Sequence, residues 1–164
     1  MREESQKRNN YIFFALIILA VIVILICQNS GVEQNKQYLE DYKIYRVSQQ
    51  LISQEEYQEA EKYLNHILSR YEDNYLVQWH RGKILLGEKR YQEAENALRL
   101  AREIRPVLVL RPEYLYNYAE TYYFLKETDK AKQYLHECLK YQDKTYTAKA
   151  QQLLQQIEAQ GEVK

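Results

Sequence analysis

The pentapeptide Tyr57-Gln58-Glu59-Ala60-Glu61 recurs as Tyr91-Gln92-Glu93-Ala94-Glu95, so that Ala60 and Ala94 stand 34 positions apart. A weaker third copy, Thr128-Asp129-Lys130-Ala131-Lys132-Gln133-Tyr134-Leu135, places Ala131 37 positions after Ala94. Self-similarity at a period of this length restricts a chain to repeat architectures, in which each unit buries its apolar face only against its neighbours. Within residues 76–106 the apolar positions predict two short amphipathic helices with a turn near Gly87 to Arg90. Small residues, Gly82 in the first helix and Ala94 and Ala101 in the second, stand where the two helices would cross closely. Pro106 lies just past the end, where it cannot continue the helix. The chain has only 4 Gly and 2 Pro, which argues against many tight turns and against an all-β fold.

A 34-residue period of paired helices resembles the tetratricopeptide repeat family. The resemblance is densest in the middle repeat, where Gly82, Leu85, Tyr91, Ala94, Leu98, Ala101 and Pro106 fall on signature positions. Leu51, Tyr57, Ala60 and Leu64 match in the first repeat, and Ala119, Tyr122, Ala131 and Leu135 in the third. Trp79 stands one position after the usual tryptophan, Arg81 replaces a leucine, Ser48 a smaller residue, and Thr128 the tyrosine of the turn. The resemblance implies an all-α fold: a right-handed superhelical stack of three helix pairs at about 41–74, 75–108 and 112–144, within a domain of 38–160. Residues 145–160 supply a capping helix, with Tyr146, Ala150, Leu153, Leu154 and Ile157 on one stripe. Thr145 or Asp143 would cap its N-terminus, and Gly161 its C-terminus.

Ahead of the repeats, a polar segment (1–10) with Arg2, Lys7 and Arg8 precedes an uncharged apolar run over 11–27. As a helix at ~1.5 Å per residue the run spans roughly 26 Å, just short of a ~30 Å hydrocarbon core. A single transmembrane helix, a signal anchor over 11–28, is expected here, with Tyr11 at the interface and a linker over 29–37. Two other readings compete. A cleaved signal peptide would have a shorter apolar region and a small-x-small site, and none follows the run. A lipoprotein signal ending at Cys27 would carry a small residue where bulky Ile26 stands. The basic residues before the run favour a cytosolic N-terminus, with the repeats on the extracytoplasmic side.

The chemistry-bearing residues point away from catalysis. Charge is balanced at 23 basic and 23 acidic residues, which gives no indication of nucleic acid binding. His66, His80 and His136 are scattered over three repeats, and His136 and Cys138 lie on different faces of one helix. Cys138 takes a small core position, so a buried thiol is expected, and Cys27 lies in the apolar run, so no disulfide is expected. Neither a phosphate loop nor a nucleophile motif is present, and no enzyme, cofactor or metal is expected. Residues 107–110, between Pro106 and Pro112, are expected to fold back on the core. The alternative is an apolar loop exposed for a partner or for the membrane surface. Pro112 suits the first turn of the next helix, Glu113 favours it electrostatically, and Arg111 is driven to extended geometry.

Binding is the function the resemblance implies. In such stacks the first helix of each pair lines a concave groove. By register the groove residues are Tyr42, Tyr45, Gln49 and Ile52, then Leu76, Trp79, Lys83 and Leu86, then Glu113, Tyr116, Glu120 and Tyr123. Their aromatic content favours a protein partner, peptide or helix, because tyrosine and tryptophan offer large contact area at little entropic cost. The set lacks the Lys/Asn pattern with which some relatives clamp a carboxylate. Three roles fit: a membrane-anchored scaffold or adaptor, a targeting receptor or chaperone for extended apolar segments, and a self-assembling module in which a homo-oligomer forms through the groove.

Overall fold

The computed structural model describes residues 2–161, and the side chains of 16–160. Among the described residues all α-structure falls in seven helices: α1 (Arg2–Ser53), α2 (Tyr57–Leu68), α3 (Tyr75–Gly87), α4 (Tyr91–Ile104), α5 (Pro112–Phe124), α6 (Thr128–Leu139) and α7 (Lys144–Gly161). A short 3-10 turn, Pro106–Leu110, sits between α4 and α5. The chain divides between Lys43 and Ile44 into two compact units.

The described residues of the first unit are all helical. Residues 29–37, expected to form a linker, lie inside α1, which runs for 52 residues. This stretch holds no proline, and its one glycine, Gly31, costs a helix only about 1 kcal/mol when good helix formers continue on both sides. From Leu16 onward α1 is long and apolar enough to cross a membrane. Its apolar side chains from Leu16 to Ile26 are exposed. The expectations for Tyr11, Arg2, Lys7 and Arg8 fall outside the described side chains.

The second unit is the repeat stack. The end of α1 (from Ile44) pairs with α2, α3 packs on α4, and α5 packs on α6. Three residues join each pair, and in every case the middle one is left-handed: Glu55 (φ 63°), Lys89 (φ 63°) and Lys126 (φ 65°). The residue after each donates its amide back five positions along the chain, Glu56 to Leu51, Arg90 to Leu85 and Glu127 to Tyr122, at 2.9–3.0 Å. This closes the last helical turn as a Schellman motif does. Gly87, expected in the turn, is instead the last residue of α3 and serves packing, because a Cβ there would fall on the Tyr57 ring.

The small residues sit where the pairing needs them. A Cβ on Gly82 would lie 2.7 Å from Leu98 Cγ, and Ala60, Ala94, Ala101, Ala119 and Ala131 are all fully buried. Asn74 caps α3, its side-chain oxygen accepting from Leu76 N at 2.9 Å. Asp143, one of the two candidate caps, starts α7 by accepting from Thr145 N at 3.0 Å and Tyr146 N at 2.9 Å. Ala150, Leu153, Leu154 and Ile157 of α7 close the core at the C-terminal end, and Gly161 is the last residue of the helix rather than the position beyond it. Cys138 is buried and free, as expected, and burial pushes its thiol up to about 11.

The inserted segment divides between the two expectations for it. Leu108 is buried at 1 % exposure, while Val107 (46 %) and Leu110 (55 %) face outward. A 3-10 turn repeats every three residues, so one side chain per turn can reach the core. Pro112 occupies the first turn of α5 with Glu113 beside it, and Arg111 is extended (φ −103°, ψ 117°).

Candidate functional site

The inner helices of the stack and α7 enclose an open cleft of about 680 Å³. Its walls come from Gln49 and Ile52 of α1, His80, Lys83 and Leu86 of α3, and Glu113, Tyr116, Asn117, Glu120 and Phe124 of α5. Tyr57 and Tyr91 enter from the outer helices, and Tyr146 and Lys149 from α7. Seven residues of the predicted groove set therefore line it: Gln49, Ile52, Lys83, Leu86, Glu113, Tyr116 and Glu120.

Five of the set do not line it. Trp79 is buried in the core at 5 % exposure, edge-on to Tyr114 at 5.8 Å between centroids. The Tyr114 ring of α5 draws the indole into the core, although Lys83, four residues on, lines the cleft. Leu76 packs against the same core. Tyr45 is half-buried and bonded to His80. Tyr123 accepts a hydrogen bond at 2.8 Å from the amide of Gln160 on the capping helix. Tyr42 is exposed on the first unit.

The groove set leaves out His80, Asn117 and Phe124 of the inner helices, and Tyr57, Tyr91, Tyr146 and Lys149 of the others. A signal for the first three exists. His80, Lys83 and Gly87 recur at i, i+3 and i+7 on α3, and Glu113, Asn117, Glu120 and Phe124 at i, i+4, i+7 and i+11 on α5. On each helix these positions share one face, and that face lines the cleft.

The N-terminal end of the cleft is internally satisfied. The Leu76 carbonyl accepts from His80 Nδ1 at 2.8 Å, which fixes that tautomer. His80 Nε2 then accepts from the Gln49 amide at 3.3 Å, and the Tyr45 hydroxyl lies 2.7 Å from Nδ1. Burial, reinforced by the charge of Lys83, lowers the His80 pKa to about 4, so the ring is neutral at pH 7. Lys83 itself is held by Glu113 at 2.6 Å.

The C-terminal end is not. Asn117 is buried at 7 % exposure, and its Nδ2 has no hydrogen-bond partner. Among the described residues no hydrogen bond or ion pair reaches the Glu120 carboxylate. Burial raises its pKa above the usual carboxylate value, and the more distant charge of Lys149 offsets this only in part. The Lys149 ammonium lies over two rings, 5.7 Å from the Tyr116 centroid and 5.5 Å from that of Tyr146. An orphaned amide and an uncompensated carboxylate in an open cleft are groups with unused bonding capacity.

Residues 112–145 match the Tetratricopeptide repeat family model. The match covers α5 and α6, the third hairpin, rather than the middle one where the signature residues are densest. The chain thus carries a tetratricopeptide repeat within an all-helical stack, and such a repeat is in general a non-enzymatic protein–protein interaction unit. No curated protein matches the chain.

Proposed function

We propose that this chain is a membrane-anchored scaffold or adaptor whose cleft holds a peptide or helix of a protein partner. The apolar part of α1 holds the protein in a bilayer, with the N-terminus cytosolic and the repeats on the extracytoplasmic side. The exposed apolar side chains from Leu16 to Ile26 favour the anchor, since a water-facing helix would leave them solvated.

One observation carries the binding reading. Asn117 Nδ2 is a buried amide donor without an acceptor at the wall of an open cleft. The donor is closed to solvent, so a main-chain carbonyl of a bound segment satisfies it once the side chain turns toward the cleft, and leaving it unpaired costs about 1–3 kcal/mol. The test is site-specific photocrosslinking in the full-length protein in its native membrane. Crosslinkers at Leu86 and Tyr116 should trap the partner, while those at the exposed outer positions Gln92 and Gln133 should not. Equal yields from both faces would sink the cleft as the binding site.

A further inference from the structure

We infer that the C-terminal end of the cleft is a receptor for one cationic side chain, arginine or lysine, of the bound segment. The inference rests on the peptide-binding reading above and names the chemistry the partner must present. Tyr116, Glu120 and Phe124 are spaced by four on α5, so they share one face of that helix. All three line the cleft, and Tyr57 stands there too, at the start of α2. Burial raises the pKa of both tyrosine hydroxyls, and the Glu120 charge adds to the rise, after that of Glu55 at Tyr57 and directly at Tyr116. A carboxylate bordered by aromatic rings is the environment a guanidinium or ammonium seeks, with an ion pair at the acid and a cation–π contact at the rings.

The protein's own cations leave this acid open. Lys83 is committed to Glu113, and Lys149 forms no ion pair with Glu120 and lies instead over Tyr116 and Tyr146. Lys89 and Glu55 stand at the exposed rim as opposite charges, and His80 is neutral. The wall thus carries three acids and three lysines, and Glu120 is the buried acid among them that makes no ion pair. An entering cation restores full ionisation to a carboxyl that burial disfavours, whereas a neutral or acidic side chain leaves the cost in place. Phe124 is stacked on Tyr91 at 4.6 Å, which holds that ring in place at the edge of the site.

The experiment uses the full chain in detergent micelles and fluorescent short peptides identical except at the central residue. That residue is arginine, lysine, the neutral isostere citrulline, or glutamate. The arginine and lysine sets should bind about tenfold more tightly than the citrulline set, with the advantage shrinking as salt is added. Glu120→Gln should abolish the advantage while leaving citrulline binding in place. Glu120→Asp, which keeps the charge but withdraws it from the rings, should reduce the advantage, and serves should the first variant misfold by circular dichroism. Equal binding of arginine and citrulline to the native chain, an unchanged ratio in Glu120→Gln, or tightest binding of the glutamate set overturns the inference and leaves the cleft reading intact. If none of the peptides binds, the cleft reading fails and the inference with it.

Discussion

The two ends of the cleft are built from equivalent helices and finished in opposite ways. At the α1–α3 end the polar groups answer one another: Tyr45 and Gln49 meet His80, and Lys83 meets Glu113. At the α5–α7 end Asn117 and Glu120 have no such partners. The first end behaves as a wall, rigid because its polar network is closed. The second keeps polar groups unpaired against their own cost, and the proposed binding site draws on these groups. Trp79 and Tyr116 carry the contrast in single residues. They stand 37 positions apart, the interval that separates Ala94 from Ala131, so they hold the same place in successive repeats. Trp79 is core and Tyr116 lines the cleft.

The largest expected effect breaks the comparison if it fails. Trp79→Ala should destabilise the repeat unit by about 3–5 kcal/mol, because it empties a large buried volume beside Tyr114. Tyr116→Ala, at the same place one repeat on, should cost clearly less in stability and act mainly on partner capture. Denaturant unfolding of the full chain in detergent, followed by circular dichroism, measures both. Equal losses would mean that the two positions are structurally alike and that the cleft does not distinguish them.

The second effect separates the ends by the sign of their pH dependence. His80 has a depressed pKa, about 4 in the folded chain against 6.5 for a solvated imidazole. Between those values the unfolded chain binds the extra proton and the folded chain does not. His80 therefore contributes stability above pH 6.5, and up to roughly 3 kcal/mol of it is lost as pH falls toward 4. Glu120 runs the other way. Its raised pKa means that the folded chain holds the proton longer, so its effect is to favour folding at low pH and to weaken it as pH rises above the usual carboxylate range. The His80→Gln chain should lose most of the acid-side slope. In Glu120→Gln stability should rise at neutral pH, with the acid-side loss from His80 more visible. Unfolding free energies measured across pH 4–8 decide it, and an unaltered slope in His80→Gln would place the acid sensitivity elsewhere.

The outer hairpins should not share this difference. Ala94 and Ala131 are fully buried at equivalent positions of the second and third repeats. Ala94→Leu and Ala131→Leu should each destabilise by about 1–3 kcal/mol through overpacking. Similar losses would locate the difference between the ends in the inner helices. A neutral Ala94→Leu would instead contradict the close crossing of α3 and α4 over Gly82 and Leu98.

Much of the fold was legible from period and small residues alone. Ala60, Gly82, Ala94 and Ala101 mark helix crossings because only small side chains fit there, and that constraint acts locally and repeats. The continuity of α1 was not legible, because Gly31 and a polar stretch look like a linker until the absence of any competing structure lets the helix run on. The site was half legible. Family register placed Lys83, Leu86, Tyr116 and Glu120 on the cleft and Trp79 with them, but the Trp79 indole packs edge-on to Tyr114 in the core, a contact across helices that register does not record. His80 and Asn117 were hidden because their importance lies in partners present or missing across helices, which spacing does not record.

The smallest effect concerns the turns, where the repeats are alike. Lys89 and Lys126 hold left-handed backbone at φ 63° and 65°, with the same amide-to-carbonyl closure after each. A residue with a Cβ is strained there by about 1 kcal/mol or somewhat more, and glycine is not. Glycine also loses more freedom on folding, which offsets part of the gain. Lys89→Gly and Lys126→Gly should therefore each stabilise by about 0.5–1 kcal/mol, and by closely similar amounts. The Lys126 ammonium lies 5.9 Å from the Tyr123 ring, a long and exposed contact whose loss subtracts little. Paired unfolding curves of the two variants resolve the difference. A gain at Lys89 with a loss at Lys126 would show that the third-repeat turn depends on its lysine, and the asymmetry between the two ends would then reach beyond the cleft into the hairpins that support it.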